Sequence, residues 1–474
     1  MLVASMLNPD ICRKARLSRD RRFDGRFFVA VKTTGIYCRP ICPATAPLEN
    51  NVLYFMHAIE AAQAGFRPCL RCRPDSAPQS PAWQGAKTTL NRAVKLIKEG
   101  ALQDGKLDML AMRLGIGERY LRELFNKHLG TSPKAYALYQ QGLLAKQLLH
   151  QTQLPITQVA LASGFNSVRR FNDYFQSELK LTPSAIRKQK ATNPSNSTLQ
   201  ITLSYRPPYD WTSMLSFLTT RAISKLEWYT ENSYGRSFQL AHCQGNFTAH
   251  HIAEKSYFLI DLNLDNIKYL QSVISHIRRI LDLDADMQTI EHDLSHAFPD
   301  LTIVSGLRLP GIWSTYEAGV RAILGQQVTI KMAHKLVTTL VDELGEPAKV
   351  HGKIAKLFPT PINMHKCDFD FLKMPASRKQ TLRNFTAFYL ENTENLRLND
   401  LELEEDLDAW LAVKGIGLWA VNYAKMRGLS HPDIFLTNDA GVNNALAQLN
   451  SDINPEMASP WGSYLTLQLW KTLQ

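Results

Sequence analysis

The chain has 474 residues, of which 45% are hydrophobic, and a formal charge of +11. That length exceeds one ordinary domain and that apolar content can fill several cores, which excludes a disordered chain and a small disulfide-framed one. No apolar run approaches the roughly 20 residues a membrane span needs, and no charged-then-apolar signal opens the chain, so a cytoplasmic protein with no membrane partner is expected. Seven cysteines in a reducing compartment argue for metal ligands or free thiols rather than disulfides.

The charge is uneven. Residues 1–190 hold 29 Lys and Arg against 13 Asp and Glu, and the remainder holds 25 against 30. The front carries the electrostatic footprint of a nucleic-acid binder. The back must meet DNA through local features such as helix N-termini.

In chain order, a basic segment is followed by Phe27-Phe-Val-Ala-Val, which reads as a strand, then a glycine turn. Cys38 and Cys42 follow, and Cys69 and Cys72 come after a short helix from His57 to Ala64. Two close cysteine pairs at this separation suit one tetrahedral Zn²⁺. Cys12, Cys243 and Cys367 have no partner at metal spacing and read as ordinary thiols. The phrases Thr34-Gly-Ile-Tyr-Cys-Arg-Pro-x-Cys-Pro and Arg67-Pro-Cys-x-Arg-Cys-Arg-Pro resemble the amino-terminal methyl-phosphotriester sensor of the Ada family. The resemblance implies that Cys38 accepts a methyl group from an alkylated DNA backbone. Arg39, Arg67, Arg71 and Arg73 flank the cysteines and are expected to engage that backbone.

A Pro/Ser linker at 75–86 leads to helical spacing. Leu107 to Phe125 reads helix, glycine turn, helix, and the pattern recurs from Ile156 to Phe175, with a long helix from Pro133 to about Gln151 between. Ala162-Ser-Gly-Phe, the Phe171/Phe175/Leu179 spacing and the following Thr-Pro-Ser look like AraC-type DNA-binding domains. Two recognition helices would then enter successive major-groove segments. Arg119 and Arg122 in the first, and Arg169 and Arg170 in the second, lie off the apolar stripe and are the expected DNA contacts, alongside Glu118, Ser167 and Asp173.

After a second linker at 192–198, strand-like alternation at Leu199–Tyr205, a helix near Thr212–Arg221 and strands at Arg236–Leu240 and Tyr257–Leu262 make a mixed α+β block. From Leu281 the pattern is almost all helical. An acidic helix at about Glu404–Ala412 turns through Lys414-Gly415-Ile416-Gly417 into a helix at about Leu418–Arg427. Two glycines one residue apart allow a tight turn, and the helix that starts there presents unpaired N–H groups suited to a phosphate. Val413-Lys-Gly-Ile-Gly-Leu-Trp-Ala-Val-Asn-Tyr, with Phe435-Leu-Thr-Asn-Asp439 beyond it, resembles the helix-hairpin-helix base-excision glycosylases, in the 3-methyladenine glycosylase II (AlkA) branch.

That resemblance implies hydrolysis at the sugar, with Asp439 stabilising its developing positive charge. It places Trp419, Tyr423 and Trp461 in the base pocket, Gly415 and Gly417 on DNA, and Gln326 and Gln327 at the tip that fills the emptied stack. Relatives often carry an apolar wedge where Gln327 stands, and a second aspartate where Asn438 stands. Trp419 occupies the position where strand-cutting relatives have a Schiff-base lysine, so no lyase step is expected. The carbonyls of Leu411, Val413 and Ile416 are candidates for a monovalent cation.

The expected architecture is multidomain and mainly α. It comprises a small α+β zinc domain at 1–78, an all-α AraC-type double helix-turn-helix at 84–190, an α+β glycosylase amino-terminal domain at 198–284, and an all-α helix-hairpin-helix glycosylase domain at 285–474. Double-stranded and alkylated DNA are the expected partners, with RNA polymerase during activation. A monomer in the bacterial cytoplasm, nucleoid-associated when bound to DNA, is expected. The rival is a regulator whose back half only binds DNA; Asp439 and Gly415-x-Gly417 argue against it.

Overall fold

The computed structural model describes residues 9–19, 23–24, 27–55, 58–69, 71–72, 74, 86–103, 106–187, 198–348, 355–394, 407–449 and 453–473. Most of both expected linkers, Arg73, His57 and the start of the acidic helix at 404–406 lie outside the described residues. The chain forms two compact units, one of residues 1–97 with 106–135 and one of 98–105 with 136–474. Among the described residues no helix is long and apolar enough to cross a membrane.

In the first unit, β1 (Phe28–Val31), β2 (Ile36–Cys38), β3 (Val52–Phe55) and β4 (Arg67–Pro68) form a sheet of order β3-β1-β2-β4. Alternation sends Phe27 and Val29 to one face, where Cys12 and Ala15 of α1 (Pro9–Ser18) cover them. Phe28 and Ala30 go to the other, against Tyr37 and Ala61, the latter on α2 (Ala58–Gln63). α3 (Ala86–Lys98) precedes the first helix-turn-helix, α4 (Leu107–Arg113) and α5 (Glu118–Leu129). The latter two bury Leu110, Leu121, Leu124 and Phe125 at helical spacing.

In the second unit, α6 (Pro133–Gln151, whose first residues belong to the first unit) leads to the second helix-turn-helix, α7 (Ile156–Ala162) and α8 (Val168–Tyr174). Ser167 caps α8 by accepting from the Arg170 N–H at 3.2 Å. An antiparallel sheet of order β5-β9-β8-β7-β6 follows: β5 (Leu199–Ser204), β6 (Glu227–Thr230), β7 (Ser233–Leu240), β8 (Cys243–Ile252) and β9 (Tyr257–Leu264). It is packed by α9 (Trp211–Thr219) and α10 (Leu270–Ile280).

The remaining helices include α11 (Met287–Ala297), α12 (Thr315–Gly325), α13 (Ile330–Leu344), α14 (Ala376–Glu394), α15 (Leu418–Gly428), α16 (Ala440–Leu449) and α17 (Gly462–Lys471). α12 is buried on nearly all sides. Small residues let it be so: a Cβ on Gly319 would lie 2.5 Å from Phe385, and one on Gly428 3.1 Å from Ala318 of α12. Buried ion pairs, Arg236 to Glu317 at 2.8 Å and Arg321 to Glu227 at 3.1 Å, tie the sheet to α12. The expected acidic helix is, in its described part, a 3₁₀ segment at Leu407–Ala412 rather than an α-helix. Its pairing is the tighter i→i+3 kind, carried on by the Val413 N–H donating to the Trp410 carbonyl at 2.9 Å just before Gly415 turns the chain.

Candidate functional site

The four cysteines converge because β2 and β4 pair in parallel. Tyr37 lies opposite Pro68, so Cys38 and Cys69 leave the sheet side by side. The Cys69 N–H donates to the Tyr37 carbonyl at 3.0 Å, and the Cys42 N–H closes the knuckle on the Arg39 carbonyl at 3.1 Å. The four sulfurs all lie within 4.8 Å of one another. Zinc–sulfur bonds of about 2.3 Å demand such crowding. The shared proton and the adjacent sulfurs of Cys42 and Cys72 push the Cys38 thiol far up, and the same sharing pulls Cys42 down to about 2. Four thiolates can coexist here only around a cation, so the donor set fits one Zn²⁺.

Arg39 departs from expectation. Its guanidinium is buried, donates from Nε to Asp24 at 2.8 Å, and donates to the Cys72 carbonyl at 3.3 Å. It braces the cysteine loop instead of facing DNA, because a carboxylate fifteen residues upstream captures it. Its backbone N–H donates to the Cys72 sulfur at 3.3 Å. Arg67 and Arg71 are exposed.

In the helix-turn-helix units the expected contact residues lie on the open faces. Arg119 is paired with Glu123 at 3.1 Å, Arg122 with Glu118 at 2.6 Å, and Arg169 with Asp173 at 4.0 Å. Arg170 is exposed, whereas Phe171 beside it is fully buried.

In the glycosylase-like body, Asp439 caps α16, its Oδ1 accepting from the Val442 N–H at 3.1 Å. The same oxygen accepts from Trp470 Nε1 at 2.8 Å, and Oδ2 accepts from Trp419 Nε1 at 3.0 Å. Trp419 and Tyr423, one turn apart on α15, stack with centroids 5.3 Å apart. Phe217 of α9 stacks on Trp470 at 6.0 Å and carries the guanidinium carbons of Arg221 and Arg427 at 3.8 and 4.5 Å from its centroid. Arg427 donates to the Tyr423 hydroxyl at 3.3 Å. Phe217, Arg221, Tyr423 and Arg427 line one cleft. Burial pulls the Arg221 guanidinium down to about 10, which leaves it charged at neutral pH, and the Asp439 carboxylate favours that charge.

Two of the three expected pocket aromatics, Trp419 and Tyr423, are thus gathered at Asp439. Trp461 instead donates its indole N–H to Asp293 at 2.9 Å and holds that carboxyl below the usual range. At Asp439 stands Trp470 instead. Trp470, Phe217 and Arg221 were not singled out from sequence. The available signals were weak: one more tryptophan in the last helix, and a Phe-x-x-x-Arg spacing on a helix that belongs to a different block.

The hairpin turn is tight. Gly415 has φ +98°, and a Cβ there would lie 2.0 Å from Thr381 Oγ1; around Gly417 the space is open. Gln326 Nε2 donates to the Gly415 carbonyl at 3.2 Å, joining the loop after α12 to the hairpin. Gln327 stands exposed at that loop with φ +54°. Of the carbonyls expected to face a cation, that of Val413 accepts the Ile416 N–H at 3.0 Å.

Family models match three stretches: the metal binding domain of Ada at 11–75, a helix-turn-helix domain at 110–189, and the AlkA N-terminal domain at 200–314. A "Probable bifunctional transcriptional activator/DNA repair enzyme AlkA" of Mycobacterium tuberculosis is 34% identical over 98% of this chain and 96% of its own. The "DNA-3-methyladenine glycosylase 2" of Escherichia coli is 31% identical over 57% of this chain and 96% of its own. The "Bifunctional transcriptional activator/DNA repair enzyme Ada" of Escherichia coli is 37% identical over 31% of this chain and 40% of its own.

Proposed function

The chain belongs to the family of bifunctional transcriptional activator/DNA repair enzymes that join an Ada-type front to an AlkA-type back, and on that footing we propose how its two sites divide the work. The back half is a monofunctional glycosylase that hydrolyses the N-glycosidic bond of alkylated bases of the 3-methyladenine kind. The front half is a methyl acceptor and regulator.

The observation that carries the glycosylase reading is the carboxylate of Asp439, fixed by two indole N–H groups beside a stacked aromatic pair. The target base leaves the duplex and enters the cleft. The bond from C1′ to the base nitrogen breaks and its electron pair leaves with the base, which alkylation has already made electron-poor. Positive charge develops on the sugar. A preoriented carboxylate stabilises that charge without reorganising. A carboxylate offers about four lone-pair positions. Trp419, Trp470 and Val442 occupy three, which leaves one to orient the water that bonds to C1′ and loses its proton. Trp419 cannot form a Schiff base, so the strand is left intact.

At the front, Cys38, Cys42, Cys69 and Cys72 hold the zinc, which keeps sulfur as thiolate at neutral pH. The Cys38 sulfur attacks the methyl carbon of a methyl phosphotriester. The carbon–oxygen bond breaks, the phosphodiester leaves as an anion, and a thioether remains. Nothing regenerates the thiolate, so each chain reacts once. The helix-turn-helix units supply sequence choice, and activation proceeds through RNA polymerase. A monomer suffices, because one chain carries the two units that dimeric regulators assemble from two subunits.

Incubating the purified protein with alkylated DNA tests the reading. Release of free 3-methyladenine without strand scission is expected. Strand scission accompanying release would refute the hydrolysis-only mechanism, and no release would leave the back half as a DNA-binding body.

A further inference from the structure

β5 is an edge strand, paired only with β9. An edge presents unpaired backbone groups and has to be covered or blunted. At Thr202 both outward groups are taken by one helix. The Thr202 N–H donates to Gln151 Oε1 at 2.8 Å, and Gln147 Nε2 donates to the Thr202 carbonyl at 3.1 Å. Gln147 and Gln151 are one turn apart on α6, so two carboxamides stand where a neighbouring strand would.

The contact continues into the interior. Leu148, Leu149 and Phe171 of the second helix-turn-helix region share one unbroken buried cluster with Ile201, Leu203 and Phe258 of the sheet. A second anchor lies on α10. Gln271 donates to the Lys98 carbonyl at 2.7 Å and accepts from Gln103 Nε2 at 2.7 Å, and Ser272 Oγ donates to the Glu99 carbonyl at 3.0 Å. Gln103 in turn fills the space beside the turn of the second helix-turn-helix: a Cβ on Gly164 would lie 2.8 Å from it. All these residues belong to the same compact unit. Throughout, the outer face of α8 stays open, with Arg169 at 92% exposure.

We propose that the second helix-turn-helix is a permanently docked DNA grip of the glycosylase body, not a separately tethered domain. It folds with the α+β sheet as one body. Through Arg169 and Arg170 it adds phosphate contacts whenever the glycosylase works, on any DNA sequence. This rests on the glycosylase reading above, and so the test has one arm that does not depend on it.

That arm is amide exchange on the full chain. Thr202, although on an edge, exchanges as slowly as amides paired inside the sheet. Gln151→Ala speeds it about tenfold, the loss of a single opening barrier. Exchange of Thr202 at an unprotected rate in the native protein overturns the docking. The second arm is base release from random-sequence alkylated duplexes, one barely spanning a lesion and one several turns longer. The native protein has a KM about tenfold lower on the long duplex. Arg169→Ala with Arg170→Ala abolishes that advantage. Gln147→Ala with Gln151→Ala reduces it and leaves short-duplex turnover unchanged. Equal KM on both duplexes in the native protein overturns the grip. If no duplex yields free base, the glycosylase reading has failed, and the exchange arm still decides the docking.

Discussion

Three N–H groups converge on Asp439, two from indoles and one from the start of α16. Asp439→Asn keeps the size and removes the charge, so base release should fall by about 10²–10⁴-fold while DNA binding persists; near-normal release would remove Asp439 from the mechanism. The tryptophans separate cleanly. Trp470→Phe keeps the stack on Phe217 but loses a hydrogen bond to a charged group, which contributes about 1.5–3 kcal/mol, so kcat should drop about 10- to 100-fold. Trp461→Phe loses only the bond to the half-exposed Asp293 and should leave kcat unchanged. The opposite ranking, from single-turnover release, would restore Trp461 to the pocket. The placement of Asp439 beside Trp419 and Tyr423 was legible because one short stretch of motif carries all three. Trp470 was not, because its bond to Asp439 bridges 31 positions and depends on how α17 is rotated. Arg39 shows the converse. It stands next to a metal-ligand cysteine in sequence, yet Asp24 turns it inward.

At the scale of elements, the two hairpin glycines predict opposite behaviour. Gly415→Ala combines a left-handed backbone with a clash against Thr381 and should destabilise the fold by about 1–3 kcal/mol, read as a lowered Tm. Gly417→Ala meets open space and should shift stability by less than about 0.5 kcal/mol. It should instead weaken DNA binding about tenfold by holding the backbone away from a phosphate. Equal Tm losses in the two would show that neither glycine is kept for DNA. The long helix Pro133–Gln151 was legible, with its end placed only approximately, because Pro starts it and helical spacing sustains it. Strand β8 was not: Gln244, Asn246, Thr248, His250 and His251 mask it, although its partners β7 and β9 supply the pairing. Pairing of that kind is long-range, and no local propensity reports it.

For the whole molecule, the division into two units assigns the zinc cluster and the glycosylase pocket to different bodies. Cys69→Ala or Cys72→Ala should therefore abolish the one zinc per chain, by elemental analysis, and unfold the sheet β3-β1-β2-β4. Base release should persist. A native protein without zinc would end this account. Methylation of Cys38 converts a thiolate to a thioether and removes one of the cluster's two net negative charges. A unit repulsion at about 4 Å is worth roughly 1–4 kcal/mol, so operator affinity should rise by about one to three powers of ten after exposure to methyl phosphotriesters. Unchanged affinity, with mass spectrometry placing the methyl on Cys38, would reduce the domain to repair alone. The order of the zinc, helix-turn-helix and glycosylase segments was legible from motifs. The shared core joining α6–α8 to the sheet was not, because the linker composition at 192–198 suggests separation, whereas Leu148 and Phe171 share one buried cluster with Ile201 and two glutamines of α6 hold the edge at Thr202.

The exposed arginines of the recognition helices already hold anions of their own. Arg119, Arg122 and Arg169 each have a carboxylate one turn away. Such surface pairs add little stability, but they change what happens at the groove. An arginine that releases Glu123 or Asp173 to grasp a phosphate exchanges one partner for another, and the displaced carboxylate then recruits a cation from solution. The count of ions set free is smaller than the count of new contacts. The logarithmic salt dependence of DNA binding should therefore be shallower than the arginine census suggests, and Glu123→Gln with Asp173→Asn should steepen it by about one unit per restored cation. If so, the pairs should make the protein less sticky on undamaged, non-operator DNA and less responsive to ionic swings in its surroundings.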